Sequence, residues 1–364
     1  MKQNQRLISL DAFRGFTIAS MIMVNNPGSW SHVYAPLLHK PWNGITPTDL
    51  IFPFFIFIVG VSVALAYTKR VAAGVSQKEM VRKIVWRSVK IFAVGIFLAL
   101  YPRFNFGELR VAGVLQRIAI VFLVCALLFL KVGWKRQAII AGCLLVGYWL
   151  SMMFLPTPGY GKPMLEPGVN LAAWIDSFLL PGRMWQKTWD PEGVFSTLPA
   201  IATGITGMLA GTLILSKNSM ERKIIWLFTA GFLAATLGVV WSWHFPLNKG
   251  LWTSSFVMAT SGLASMTLAA SLFLVDHLGY KKYAKPWVIF GSNAISVYVL
   301  AGLLGYFFYG IQIGGASIKG HFMDFFTGMG TAPKFASLLY ALLYVGILFI
   351  PALVLYRKKI FLKL

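Results

Sequence analysis

A series of apolar segments, each close to the length that crosses a lipid bilayer, constrains this chain more than any other feature. A spanning α-helix needs about 20 apolar residues, because the hydrocarbon core of a bilayer is about 30 Å thick. The sequence predicts ten such helices, at residues 7–24, 50–67, 85–100, 111–130, 138–155, 193–215, 224–241, 252–275, 287–309 and 335–356. We therefore expect an all-α polytopic membrane protein that forms a single transmembrane domain over residues 1–364.

Composition and charge agree with a membrane protein. Of the 364 residues, 57% are hydrophobic and only 12% are charged, about half the charged share of a soluble domain. With the N-terminus inside, the inner segments hold 22 Lys and Arg residues and the outer segments hold nine. Since cytoplasmic loops are rich in Lys and Arg, this asymmetry predicts cytoplasmic N- and C-termini. It also explains the net charge of +22, so we expect no nucleic-acid partner.

Ionisable residues inside spanning helices are costly and are therefore candidates for function. Asp11 and Arg14 are three residues apart in the first predicted helix, so they lie on one face and can pair. Taken alone, they are better explained by an ion pair at the membrane interface. Cys125 and Cys143 fall within apolar runs, and we therefore expect neither a disulfide nor a metal site.

The loop between the first two helices contains the residues best suited to catalysis. Thr46 and Pro47, followed by Asp49, are typical of a helix start. His39 is not explained by capping. A carboxylate such as Asp49 can orient one imidazole nitrogen and leave the other as a base. An amide such as Asn25 can donate a hydrogen bond to a developing oxyanion.

Other polar residues lie at the predicted outer ends of the fourth, sixth and eighth helices. Helix capping or an interfacial position explains each of them individually. The second, fourth, sixth and eighth helices all begin outside, so their positive dipole ends can converge on one outer cavity. Such a cavity would suit an anionic ligand or a developing negative charge. The residues concerned are Gln116, Arg117, Asp190, Glu192, Asn248, Lys249 and Trp252.

Several of these segments together resemble the heparan-α-glucosaminide N-acetyltransferase family, in the same order from about residue 7 to about residue 300. The most specific part is the block that contains His39. The matching segments are LDAFRG (10–15), VN (24–25), HKPWNG (39–44), TDLIFP (48–53), GVLQR (113–117), DPEGV (190–194), NKGLWT (248–253) and GSN (291–293).

The resemblance implies an integral-membrane enzyme that transfers acetyl from acetyl-CoA to the amine of a terminal glucosamine. It implies that His39 is the catalytic residue, as a general base or an acetyl carrier, and that Asn25 lies beside it. Asp49 matches a motif position and completes the catalytic candidates. The residues expected to bind substrate or coenzyme A are Asp11, Arg14, Trp42, Asn43, Gln116, Arg117, Asp190, Glu192, Asn248, Lys249, Trp252 and Asn293.

We expect the chain to differ from the lysosomal members of the family by lacking a large N-terminal luminal region. We therefore predict a bacterial inner-membrane homologue that acts on glucosamine or a small amino-sugar fragment. By analogy with membrane homologues of this kind, we expect a homodimer. Two other functions remain open. An amino-sugar transporter would also place charged residues and broken helices within the membrane. A membrane O-acyltransferase that acts on a glycan would differ only in its acceptor.

Overall fold

A computed structural model describes residues 7–362 of the chain. Regular structure in this part is almost entirely helical, with 13 α-helices and one two-stranded antiparallel sheet. The α-helices are α1 (Ile8–Asn25), α2 (Pro47–Ala72), α3 (Gln77–Leu100), α4 (Val114–Lys131), α5 (Trp134–Phe154), α6 (Leu171–Leu179), α7 (Thr197–Leu215), α8 (Met220–Trp241), α9 (Ser254–Ser271), α10 (Lys281–Ser292), α11 (Ala294–Gly305), α12 (Ile318–Gly328) and α13 (Pro333–Arg357). The strands are β1 (Gln312–Ile313) and β2 (Ala316–Ser317).

The described chain has seven helices that are long and apolar enough to cross a membrane. They are α2, α4, α5, α7, α8, α13 and α9 with its π-helical continuation to His277. The pair α10 and α11 passes the same test together, as one span bent by 69°. These lengths and compositions confirm an all-α polytopic membrane protein.

Helices occur at all ten predicted positions, but α1 and α3 are not apolar enough to count as spans. The segment 77–90 of α3 carries six charged residues, which are Lys78, Glu79, Arg82, Lys83, Arg87 and Lys90. The count of ten spans and the cytoplasmic termini therefore stay predictions. Lys2, Arg6 and Lys363, which contribute to the charge asymmetry, lie outside the described residues.

The chain divides into two compact units. The described part of the first unit comprises residues 7–40, 46–52 and 271–362. Its main helix pair is α1 with α10, and the two backbones meet at a glycine. A Cβ atom at Gly291 would lie 1.9 Å from the carbonyl oxygen of Asp11, so any side chain there would force the helices apart. Such small-residue contacts are typical of helices packed within membranes.

The second unit comprises residues 41–45 and 53–270. Here α2 and α7 are equally close, since a Cβ at Gly207 would lie 2.0 Å from the carbonyl oxygen of Phe57. A separate apolar cluster lies beneath the connection that leads into α9. Tyr148 of α5 is buried in it, and the Tyr148 hydroxyl donates to the carbonyl oxygen of Leu251 at 2.6 Å. The cluster therefore holds the segment 246–253 in place.

Candidate functional site

The first unit brings together His39 and Asp49, which the sequence analysis proposed as a catalytic pair. His39 Nδ1 lies 2.7 Å from Asp49 Oδ1. The Asp49 side chain is 1% exposed, whereas the His39 side chain is 46% exposed. The carboxylate is therefore a buried anchor, and the imidazole reaches the surface from it.

The local fold holds the Asp49 carboxylate in one orientation. Asp49 lies in the first turn of α2, and its Oδ2 accepts hydrogen bonds from the backbone nitrogens of Lys40 at 3.1 Å and Thr46 at 3.0 Å. The Thr46 hydroxyl also lies 2.7 Å from the carbonyl oxygen of Leu38, to which it donates. The carboxylate thus has two functions. Its Oδ2 caps the start of α2, and its Oδ1 orients His39.

This arrangement determines which imidazole nitrogen can act as a base. An ionised carboxylate only accepts hydrogen bonds, so Nδ1 of His39 must carry a proton and donate it to Asp49. In the neutral ring the lone pair then resides on Nε2. A histidine that is half-exposed and held by a buried carboxylate has the geometry of a general base.

Asp11 and Arg14 form the ion pair that their spacing predicts, with Arg14 Nη1 3.1 Å from Asp11 Oδ1. The same nitrogen lies 3.5 Å from the carbonyl oxygen of Gly291, next to the bend between α10 and α11. The pair therefore lies where α1 packs against α10. Asn25 is the last residue of α1, and its side chain is exposed.

Asn293 lies at the bend itself, where it contacts the end of the described chain. Its Oδ1 accepts the backbone N–H of Leu362 at 2.9 Å, and its Nδ2 donates to the carbonyl oxygen of Ile360 at 3.0 Å. Both the oxygen and the nitrogen of the side-chain amide therefore bind the segment that follows α13. These contacts fix the orientation of the Asn293 amide, and its role in ligand binding stays a prediction.

In the second unit, Asp190 and Glu192 converge on Arg110. Arg110 Nε and Nη2 bind the two oxygens of Asp190 at 2.7 and 2.6 Å, and Nη2 also contacts Glu192. Asp190 also accepts backbone N–H groups from Trp185 and Glu192, both at 2.9 Å. Sequence reasoning missed Arg110. The available signal was an arginine directly before an apolar helix, which required an acidic partner.

Burial and pairing act in opposite directions on these charges. Burial raises the pKa of Asp190, but its hydrogen bonds to Arg110 outweigh burial, and the pKa is below its usual value. Burial likewise lowers the pKa of Arg110, and the two carboxylates raise it overall. Asp190 and Arg110 are therefore charged, and each neutralises the other.

The predicted capping of the sixth spanning helix by Asp190 is wrong. That helix, α7, begins at Thr197 rather than near Gly193, and Asp190 lies too far ahead of its first turn. Asp176 of α6 instead binds the backbone of the segment just before α7. Its Oδ1 accepts the backbone N–H groups of Val194 at 2.8 Å and Phe195 at 3.1 Å. Burial raises the pKa of Asp176 to about 6, although these two hydrogen bonds oppose the rise.

Arg117 joins the N-terminal ends of three helices within the second unit. It lies in the first turn of α4, and its Nη2 donates to Gly193 and Ser196 just before α7. Its guanidinium lies 5.0 Å from the ring centroid of Trp252, just before α9. Convergence of helix starts is therefore observed for α4, α7 and α9.

The contact between Arg117 and Trp252 has two unusual features. Arg117 is 1% exposed, yet its Nε and Nη1 have no hydrogen-bond partner in the part of the chain that the structure describes. Trp252 adopts φ +52°, a conformation that is rare for a bulky side chain, while its Nε1 donates to Thr203 Oγ1 at 3.1 Å. Unsatisfied buried donors and backbone strain cluster at functional sites.

Trp42, Asn43 and Asn248 hold loops of the second unit together. Asn248 Nδ2 donates to Asn43 Oδ1 at 3.0 Å, and Gly44 N donates to the carbonyl oxygen of Leu247 at 2.7 Å. Trp42 Nε1 donates to the carbonyl oxygen of Leu165 at 3.1 Å. The sequence analysis did not anticipate these loop-to-loop bonds, because their partners are more than a hundred residues apart.

The remaining two candidates differ in burial. Lys249 is half-buried in the loop that contains Asn248. Gln116 is buried, and its Oε1 lies against Gly95 of α3, where an added Cβ would be 2.5 Å away. Gln116 therefore belongs to the contact between α3 and α4. Among the described residues, no group of three or more His, Cys, Asp or Glu side chains could hold a metal ion.

Comparison with known proteins identifies a family. A family model described as "Heparan-alpha-glucosaminide N-acetyltransferase, catalytic" matches residues 6–238, well over half of the chain. The chain is 31% identical to the Homo sapiens protein named heparan-alpha-glucosaminide N-acetyltransferase, over 81% of this chain and 52% of that protein. It is 30% identical to the Mus musculus protein of the same name, over 81% and 53%. The chain thus spans about half the length of the curated relatives it matches.

Proposed function

Because the chain belongs to the heparan-alpha-glucosaminide N-acetyltransferase family, we propose that it is an integral-membrane N-acetyltransferase. The donor is acetyl-CoA, and the acceptor is the amine of glucosamine or of a terminal glucosaminide. The observation that supports this most directly is the 2.7 Å contact between His39 Nδ1 and Asp49 Oδ1. It provides an oriented base on a chain that also has the spanning helices of a membrane enzyme.

His39 acts as a general base in this proposal. An amino sugar reaches the site mainly as an ammonium, which has no lone pair and cannot attack a thioester. His39 Nε2 takes one proton, the amine nitrogen bonds to the acetyl carbon, and a tetrahedral intermediate forms. The carbon–sulfur bond then breaks, the thiolate takes a proton from the imidazolium, and the second amine proton passes to solvent. Asp49 stabilises the imidazolium throughout, since its Oδ1 accepts from Nδ1.

An acetyl-histidine intermediate is the alternative chemistry, in which Nε2 attacks the thioester and then passes the acetyl group to the amine. The two routes differ in kinetics. Direct transfer requires both substrates to be bound together, whereas the carrier route gives ping-pong behaviour and an acetyl-enzyme that forms without acceptor. We favour direct transfer, because the half-exposed imidazole and its buried carboxylate already form a complete base.

Other residues have supporting roles in the proposal. The amide of Asn25 donates to the developing oxyanion, and the two unsatisfied nitrogens of Arg117 donate to an oxygen of a bound ligand. We further propose that the protein is a single transmembrane domain of a bacterial inner membrane, with both termini cytoplasmic, and that it functions as a homodimer.

The test is acetyl-CoA consumption by the detergent-solubilised protein with glucosamine as acceptor, comparing wild type with His39→Ala. We expect a loss of about 10²- to 10⁴-fold in kcat per folded molecule, the usual contribution of a general base. His244→Ala is the matched control, because His244 is an exposed histidine of the second unit. Normal turnover by His39→Ala would remove His39 from catalysis.

An amino-sugar transporter is a second candidate, favoured by the pair α10 and α11, which bends by 69° within one span. Broken helices of this kind form substrate sites in transporters. Accumulation of labelled glucosamine in proteoliposomes that lack acetyl-CoA would support transport. Acetylation of a glycan hydroxyl but not of an amine would instead indicate an O-acyltransferase.

A further inference from the structure

A shallow surface groove lies in the first unit, along the loop that leads to His39. It is formed by the end of α1, the loop 27–37 and the start of α13. Two side chains that can carry positive charge, His32 and Lys334, line it and are exposed. Its walls are otherwise mainly apolar and include Val24, Pro27, Val33, Leu37, Leu338 and Ala341.

Backbone and side-chain hydrogen bonds fix the groove as part of the fold. Gly28 N donates to the carbonyl oxygen of Ser337 at 3.1 Å, and Ser29 N donates to Ser337 Oγ at 3.0 Å. Ser337 Oγ in turn donates to the carbonyl oxygen of Ser29 at 3.2 Å, and Ser337 is 1% exposed. Three hydrogen bonds therefore fasten the loop to α13, all of them at Ser337 and two of them at its buried hydroxyl.

The charge at the start of α13 is unfavourable without a negative partner. Lys334 is the second residue of this helix, where the helix dipole repels a cation. The first turn of α13 contains no acidic residue, and Ala332 at the N-cap makes no side-chain cap. His32 adds a second group that can be positive, with its Nδ1 3.3 Å from Ser29 Oγ. An anion placed here would be attracted by Lys334, by a protonated His32 and by the helix end.

We propose that this groove binds an anionic phospholipid. One acyl chain lies along the apolar walls, and the phosphate contacts Lys334 and His32. The position supports this choice, because α13 is a spanning helix and its first turn therefore lies at the level of lipid headgroups. Basic pockets beside spanning helices are typical sites for the headgroups of anionic lipids.

Lipid in the groove would order the loop that contains His39. The segment between the groove and His39 is tied to the start of α2, since Thr48 Oγ1 donates to the carbonyl oxygen of Pro36 at 3.1 Å. Binding at residues 27–37 therefore reduces the freedom of the residues that lead to His39. This effect on activity rests on the proposed function, whereas lipid binding itself does not.

The test measures lipid retention and thermal stability in delipidated protein, with vesicles of phosphatidylcholine alone or of an equimolar mixture of phosphatidylcholine and phosphatidylglycerol. We expect phosphatidylglycerol to be retained in native mass spectra and to raise the unfolding temperature. Lys334→Gln should weaken its binding about five-fold, as expected for one lysine at a membrane surface. Leu338→Trp, which fills the groove and keeps both charges, should also displace the lipid.

Lys162→Gln is the control, since Lys162 is an exposed lysine of the second unit. Equal retention of phosphatidylglycerol by wild type, Lys334→Gln and Leu338→Trp would overturn the proposal. Stabilisation by inorganic phosphate to the same extent as by phosphatidylglycerol would also overturn it, because it would show a free-phosphate site. Lipid retention and the unfolding temperature can be measured whether or not the protein acetylates glucosamine. A failure of the enzymatic proposal is therefore distinguishable from a failure of the lipid proposal.

Discussion

Asp49 in the first unit and Asp190 in the second are both buried carboxylates that accept backbone N–H groups, yet their partners differ. Asp49 binds an imidazole whose side chain is 46% exposed. Asp190 binds the guanidinium of Arg110, which also contacts Glu192 and lies 5.0 Å from the ring centroid of Trp185. The first carboxylate presents a group that can exchange a proton, and the second belongs to a closed charge network.

The difference shows how to separate reactive from structural charges in a membrane protein. Ionisable groups inside a membrane are almost always paired, so pairing alone does not indicate function. An arginine cannot lose its proton at neutral pH, whereas a histidine can. The His39–Asp49 pair therefore suits chemistry, and the cluster around Arg110 suits the fixing of a loop. Substitutions in the His39–Asp49 pair and in the cluster around Arg110 test this distinction.

We expect the largest effect from Asp49→Asn, a loss of about 10³-fold in kcat. Oδ2 of Asp49 accepts two backbone N–H groups, so an asparagine must place its oxygen there and its NH₂ group toward His39. That NH₂ group donates to Nδ1, and the ring proton moves to Nε2, where the lone pair is needed. The measurement is kcat for glucosamine acetylation. Asp324→Asn, at an exposed aspartate, is the control, and wild-type kcat in Asp49→Asn would contradict the assignment.

Arg110→Met should lower the free energy of unfolding by about 4 kcal/mol, because it leaves the buried carboxylate of Asp190 unpaired. Activity per folded molecule should stay within about two-fold of wild type. Chemical denaturation in detergent measures the first quantity and a titrated activity assay the second. Arg183→Met changes an exposed arginine and should have little effect. Lost activity with unchanged stability would make the Arg110 cluster functional.

Asp176 should make stability depend on pH. Its pKa is about 6 in the folded protein against 3.8 for an ordinary aspartate, so the native state binds the proton more tightly. The free energy of unfolding therefore falls as pH rises from about 4 to about 6, by about 3 kcal/mol, and stays lower above that range. Thermal unfolding across this range should show the decrease in wild type and not in Asp176→Asn. An identical pH profile for both would refute the assignment.

Asn43→Ala should have the smallest effect, a loss of about 1 kcal/mol in the free energy of unfolding. It removes one side-chain hydrogen bond, from Asn248 Nδ2 at 3.0 Å. Gln186→Ala, at an exposed amide, should be neutral. A loss of kcat in Asn43→Ala without a loss of stability would show that Asn43 acts in ligand binding rather than in holding the two loops together.

The His39–Asp49 pair could be anticipated because its parts are close in the chain. Asp49 is ten residues from His39, and the helix start at Thr46 and Pro47 limits where its carboxylate can lie. The partners of Asp190 and Trp42 could not be anticipated in this way. Arg110 and Leu165 lie 80 and 123 residues away from them, and a loop carries no periodic pattern that would reveal the match.

The sequence by itself determined the class of protein and the position of every long helix. Spanning helices depend on local apolar length, which the bilayer thickness sets without reference to the rest of the chain. The tertiary structure decided which charges meet. It assigned Asp176 to the approach to α7, placed Arg117 against a tryptophan with φ +52°, and attached Asn293 to the segment after α13. These contacts arise from packing between distant segments, and packing has no local signature in sequence.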